Sequence, residues 1–220
     1  MRGIIKPIGL ALASIVALTM CTKEDPVRRY KIEQETRQWA AFKQGSYWVY
    51  EQDGTKVIDS TYVVSYNEIE TSGTDENGNR CLAQQIDVKY ANNDGYINSK
   101  IENILPRGNS LKVSIADKGS NPVSNIEMIL VFPLSFQDQI NSPYFSVISE
   151  NEIVELGKEV INDVVHVKCT VRGLGGAVAN TNYENEYWIA RNRWIVKMKV
   201  KNPENGNIET WTLKRYKVIQ

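Results

Sequence analysis

The sequence predicts a mainly β protein, built as a single curved antiparallel sheet or a partly open β-barrel with one or two short helices. Three observations point there. Apolar and polar residues alternate through several segments, turn phrases separate those segments, and the 220-residue chain is 42% hydrophobic and 24% charged. Alternation with period two is the spacing of a strand with one buried and one wet face. The apolar fraction exceeds that of disordered chains, and the length suits one domain, or two small ones, with enough chain to bury a core. The 26 Lys and Arg balance 26 Asp and Glu, which gives nucleic acid no electrostatic hold. One His and three Cys are too few for a zinc or copper site of several such ligands, so neither metal nor cofactor is expected.

Residues 1–20 read as a signal peptide. Arg2 and Lys6 form a basic start, followed by the uncharged run Ile8 to Met20. Those thirteen residues give only about 20 Å of helix, whereas a bilayer core needs about 30 Å. Leu18-Thr19-Met20-Cys21 then precedes the polar run Thr22 to Pro26. This resembles the Leu-x-x-Cys box of bacterial lipoproteins, which implies a lipidated Cys21, with Met20 where a small residue is usual. Lys23-Glu24-Asp25 resembles the surface-export signal of Bacteroidota lipoproteins. The resemblance implies an outer-membrane protein held by lipid, exposed at the cell surface or facing the periplasm. Without the signal, 24 basic and 26 acidic side chains remain, a net charge of −2.

Residues 21–30 read as a lipidated tether and 31–220 as one antiparallel β domain. A short helix is expected within 31–43, where Ile32, Trp39 and Phe42 accompany Ala40-Ala41 and several Glu and Gln. A second is expected near 134–141. After Gly45 the period becomes two. In 56–66, Ile58, Tyr62, Val64 and Tyr66 share the expected inner face, with Asp59, Thr61 and Ser65 opposite. In 82–90 the inner set is Leu82, Ile86, Val88 and Tyr90. In 163–172 it is Val165, Val167, Cys169 and Val171. In 193–201 it is Trp194, Val196, Met198 and Val200. Residues 75–79, 92–95 and 203–207 carry Asn-Gly or Asp-Gly turn phrases. The last of these joins 193–201 to 208–219 as a hairpin. Trp211 and Leu213 have one parity and Tyr216 and Val218 the other, so a bulge is expected near Lys214-Arg215. About ten strands follow residue 46 on this reading.

Several constellations carry candidate chemistry. Cys81 lies opposite the apolar parity of its strand and Cys169 shares the apolar parity of its own, so a disulfide between them is disfavoured. His166 falls on a polar face beside Lys168 and Arg172, with no nucleophile phrase nearby, and reads as an exposed bystander. Asp75-x-Asn77-x-Asn79 starts like a calcium loop but has Arg80 and Ile86 where Gly and Glu are needed, so it reads as a hairpin turn. Gly173 to Gly176 follows a strand without the helix that a phosphate loop requires. Glu150, Glu152, Glu155 and Glu159 offer a glycosidase pair on paper, although a solvated strand edge explains them more simply. Arg193, Lys197, Lys199 and Lys201 form a basic stripe. The five Trp and eleven Tyr supply either core packing or surfaces for sugar rings.

Four phrases resemble one group of proteins. Phe42 to Glu51 resembles the opening F-x-x-G-x-x-W-V-Y of secreted and lipoprotein domains common in Bacteroidota. Gly157 to Val167 resembles their central hairpin, Tyr187 to Lys197 their late strand, and Trp211 to Tyr216 their closing W-x-L-x-x-Y. Arg193 and Trp194 stand where a Gly-containing turn is usual. Some of these domains resemble half-barrel periplasmic lipoprotein carriers, whose curved sheet has an apolar concave face. The resemblance brings no functional residues with it. No catalytic constellation is found, so the chain reads as a non-enzymatic binding or interaction protein attached to a membrane. The alternatives are a carrier or chaperone of a small hydrophobic molecule, or a protein that binds or processes glycans. A glycan, a hydrophobic molecule or another protein is the expected partner.

Overall fold

The computed structural model describes residues 27–92, 95–103, 109–117, 128–132, 145–172, 182–201 and 206–220. Cys21, Lys23, Glu24, Asp25, the glycines of 173–176 and the expected helix at 134–141 lie outside these residues. The short strand β1 (Arg28–Tyr30) leads into helix α1 (Gln34–Ala40). Then come β2 (Tyr47–Gln52), β3 (Ile58–Thr74), β4 (Arg80–Ala91), β5 (Gly95–Asn103), β6 (Asn109–Asp117) and β7 (Met128–Phe132). The second half holds β8 (Phe145–Leu156), β9 (Glu159–Arg172), β10 (Asn182–Ala190), β11 (Trp194–Lys201) and β12 (Ile208–Lys217).

All twelve strands join one sheet in the order β7-β6-β5-β4-β3-β2-β12-β11-β10-β9-β8, with β1 beside β4. Every ladder along that path is antiparallel. The two edges, β7 and β8, bring Cα atoms within 8 Å of each other, but no ladder joins them among the described residues. The sheet curls toward closure and stays open.

The alternation places the core on the concave face. Ile86, Val88 and Tyr90 of β4, Val167 and Cys169 of β9, Trp194 and Val196 of β11, and Leu213 of β12 are buried. Helix α1 is too short to persist alone and is held by what it covers. Trp39, Ala40, Ala41 and Phe42 are buried, and the Tyr90 hydroxyl donates to the Ala40 carbonyl at 3.2 Å. Thr36 Oγ1 donates to Asn109 Oδ1 of β6 at 2.9 Å. The Asn192 amide, in the turn between β10 and β11, donates to the Gln38 carbonyl at 2.7 Å. The helix therefore bridges both wings of the sheet. Below it, Phe42 meets Trp48 edge-on at 5.1 Å, and Tyr90 stacks on Trp194 at 6.1 Å with 5° between the planes. Trp48 Nε1 donates to the Arg193 carbonyl at 2.6 Å, and the Tyr50 hydroxyl to the Ile195 carbonyl at 3.0 Å. Each large apolar side chain buried here contributes roughly 1.5–3 kcal/mol.

The hairpin of β11 and β12 forms as expected, and its partner ladder shifts between Leu213 and Arg215. The turn before β11 forms without glycine, because Asn192 and Trp194 take φ of 58° and 65°. The face assigned to 56–66 is corrected. Ile58 is 52% and Tyr62 50% exposed, while Thr61 and Val63 are buried. A bulge at Val64, between Val63 and Ser65, reverses the parity, so only Tyr66 beyond it keeps its expected inner side.

Strands β3 and β4 extend past the rest of the sheet as an arm. Strand β2 pairs with β3 only as far as Tyr62, whereas the β3–β4 ladder continues to Thr74 and Arg80. At the arm's tip the Asp75 carboxylate accepts from the Asn77 and Asn79 amides, both at 2.9 Å. This is a hairpin turn, as its sequence predicts. Strand β1 runs parallel to β4, with Arg28 opposite Cys81 and Tyr30 opposite Ala83. Arg29 grips Glu70 of β3 through two bonds of 2.6 and 2.8 Å. Arg28 lies 3.5 Å from Asp75, and the Ile32 amide donates to Gln84 Oε1 at 2.8 Å.

Candidate functional site

The outer face carries a second cluster, built from three features that the sequence shows separately: the lone His, the Glu run and the basic stripe. It forms at β8, one edge of the sheet. The β8–β9 ladder slips three times, between Val147 and Ser149, Ser149 and Glu152, and Glu152 and Val154. Asn151 takes φ of 62° among these slips. Bulges re-aim side chains, and here they turn Glu152 over its neighbour β9 toward β10. Glu152 Oε2 accepts from Trp188 Nε1 at 2.7 Å. Glu152 Oε1 lies 3.2 Å from His166 Nδ1 and accepts from the Ser149 hydroxyl.

His166 is not an exposed bystander. Its side chain is 12% exposed and its ring lies 4.0 Å from that of Trp188, 16° from parallel. Nε2 sits 3.1 Å from Glu186 Oε2. Trp188 points away from the core, yet it is only 7% exposed. His166 covers it, and Lys197 and Lys199 place their ammonium groups 5.2 and 5.4 Å from its ring centroid. Lys199 also lies 3.7 Å from Glu186, and Lys168 pairs with Glu184 at 2.7 Å alongside. The basic stripe is therefore partly spent on an indole and on carboxylates.

A neutral imidazole has one N–H, and a carboxylate only accepts. The two carboxylates on opposite ring nitrogens receive donors together only from the imidazolium. Desolvation is the largest influence on Glu152 and pushes its carboxyl up. Ser149, Trp188 and His166 together outweigh it and hold the carboxyl below its ordinary value. Because Glu152 and Glu186 sit at opposite nitrogens, their oxygens diverge from any common point. Among the described residues no group of three His, Cys, Asp or Glu could hold a metal ion. Ser149 addresses Glu152 and both ring nitrogens are engaged, which differs from a nucleophile bonded to its base. The imidazole also fills the gap between these carboxylates. As it stands, the cluster cross-links β8, β9, β10 and β11.

The remaining candidates disperse. Glu159 accepts from Arg193 Nη2 at 2.7 Å and from the Tyr216 hydroxyl at 3.4 Å, in a separate network. Cys81 and Cys169 are free buried thiols with five strands between them in the sheet. Burial pushes the Cys169 thiol up to about 12. Trp39, Trp48, Trp188 and Trp194 are all buried, which favours packing over sugar stacking for those indoles. The one local hint of the outer cluster is Trp188 itself, a large indole out of parity with Tyr187 and Ile189.

No protein-family model matches the chain, and no curated protein matches it. Among solved structures it is similar to one described as a "putative lipoprotein from Parabacteroides distasonis ATCC 8503". The two are 12% identical, the alignment covers 82% of this chain and 98% of that one, and the TM-score is 0.39. A score of that size leaves fold and function to be argued from the chain itself.

Proposed function

We propose that this chain is a lipid-anchored envelope protein whose β domain meets a partner at its outer surface without catalysing a reaction. Acyl groups on Cys21 hold it to the outer membrane, and Lys23-Glu24-Asp25 direct it to the cell surface. The Leu18 to Cys21 box and the uncharged run Ile8 to Met20 that leads into Cys21 support the anchor. No helix among the described residues is long and apolar enough to cross a membrane. Two or three acyl chains, each CH₂ contributing about 0.8 kcal/mol, suffice for a stable hold.

One observation carries the choice of an outer-surface role. Under α1 the concave face is filled by the protein's own Phe42, Trp48, Tyr90 and Trp194, in mutual ring contact. A carrier of a hydrophobic molecule needs that space open. Native mass spectrometry of the protein isolated from its own envelope tests this. The expected mass is the mature chain plus covalent acyl groups. Recurrent recovery with one additional non-covalent lipid would sink the outer-surface role in favour of the carrier. Cys21→Ser tests the anchor, since the variant is expected to leave the membrane fraction.

A further inference from the structure

We infer that the tip of the β3–β4 arm is the membrane-facing end of the domain, resting at the headgroup layer, and that the loop 53–57 at the far end of β3 points away from it. The inference rests on the lipid-anchor reading of Cys21 and deepens it by assigning an orientation. Its geometry comes from β1. That strand runs parallel to β4 with Arg28 opposite Cys81, so the chain before Arg28 leaves beyond Arg80, on the side of the Asp75 turn. The exit point is fixed. Arg29 is bonded twice to Glu70, Arg28 pairs with Asp75, and the Ile32 amide is tied to Gln84.

Lengths then decide which end is near the lipid. Seven residue steps separate Cys21 from Arg28, and at full extension they span at most about 25 Å. Strand β3 runs from Thr74 at the tip to Ile58 at its start, a contour of about 55 Å at roughly 3.3 Å per residue. The tether cannot bring the far end to the anchor before the tip. The chemistry of the tip suits a hydrated surface, since Ser72, Thr74, Glu76, Asn77, Asn79 and Arg80 are all exposed. None of these is an apolar wedge, so contact with headgroups is expected without insertion into the acyl layer.

Energy transfer to the bilayer tests the orientation. Full-length lipidated protein carrying Asn77→Cys or Lys56→Cys would be labelled with a donor dye at the new thiol. It would then be reconstituted into phosphatidylethanolamine–phosphatidylglycerol vesicles containing a headgroup-labelled acceptor lipid. Transfer from position 77 is expected to exceed transfer from position 56 several-fold. Equal transfer from the two positions, or the reverse order, in protein that floats with the vesicles overturns the orientation while leaving the anchor intact. Flotation of Cys21→Ser as complete as that of the parent protein overturns the anchor, and the orientation with it.

Discussion

Replacing Glu152 by Gln isolates the charge of the outer cluster, because the amide keeps the shape and one accepting oxygen. Glu152 receives Trp188 Nε1 at 2.7 Å, the Ser149 hydroxyl, and His166 at 3.2 Å. Hydrogen bonds to a charged group contribute about 1.5–3 kcal/mol, against about 0.5–1.5 for neutral pairs. The carboxylate is one-third exposed, so solvent screening reduces the difference. A net loss of about 1–2 kcal/mol is expected at pH 7. In urea, with a slope of about 3 kcal/mol per molar, the midpoint falls by roughly 0.5 M. The pH dependence has a definite sign. The folded carboxyl titrates below its ordinary value of 4.5, so its stabilisation is complete above that value and disappears as pH falls through the lower folded one. Parent and variant should therefore differ most at pH 7, with the gap shrinking at a pH below 4.5. Urea titrations at both values, on protein lacking residues 1–21, provide the measurement. An equal gap at both pH values would show that shape rather than charge was lost, and an absent gap at pH 7 would refute the cross-link.

Three further outcomes are expected. Tyr90→Phe keeps the ring stack on Trp194 and removes the bond to the Ala40 carbonyl, costing about 1 kcal/mol by urea denaturation; an unchanged midpoint would show that α1 does not depend on that bond. Gly45→Ala meets φ of +94° and places its Cβ 3.0 Å from Ile219 Cδ1, so a loss of about 2 kcal/mol is expected, and a stabilised variant would contradict the turn geometry. Cys81 and Cys169 are each 1% exposed and should resist maleimide in the folded protein, then both react in denaturant. Rapid labelling of either thiol under native conditions would place it outside the core.

The sequence was legible where local parity is unambiguous. In 208–219, Trp211 and Leu213 stand against Tyr216 and Val218, and only a bulge reconciles them; the ladder shifts at that point. In 56–66 the same rule misleads, because Val63 and Val64 are adjacent and the alternation assigns Val64 rather than Val63 to the inner face. The bulge at Val64 is then invisible. Strand β1 is two arginines and a tyrosine, without apolar alternation, and its register against β4 is set by partners more than forty residues away. The His166 cluster was illegible for a related reason. Its members lie on four strands, and they meet only because the slips in the β8–β9 ladder swing Glu152 across β9. Register between strands is non-local information that a periodicity within one strand does not contain.

The pairing of β2 with β12 bears on how the chain reaches this state. Trp48 lies opposite Tyr216, so the middle of the sheet is made from one of the first strands and the last. Hairpins on either side can form early from neighbouring residues, but the seam between the two wings waits for the final segment. Closing a loop that long makes folding slow. Until it closes, β2 and β12 each present an unpaired edge that can recruit other chains. Deleting residues 208–220 would therefore do more than shorten one end. It would leave two half-sheets, each with an open edge facing the gap where the last strand belongs.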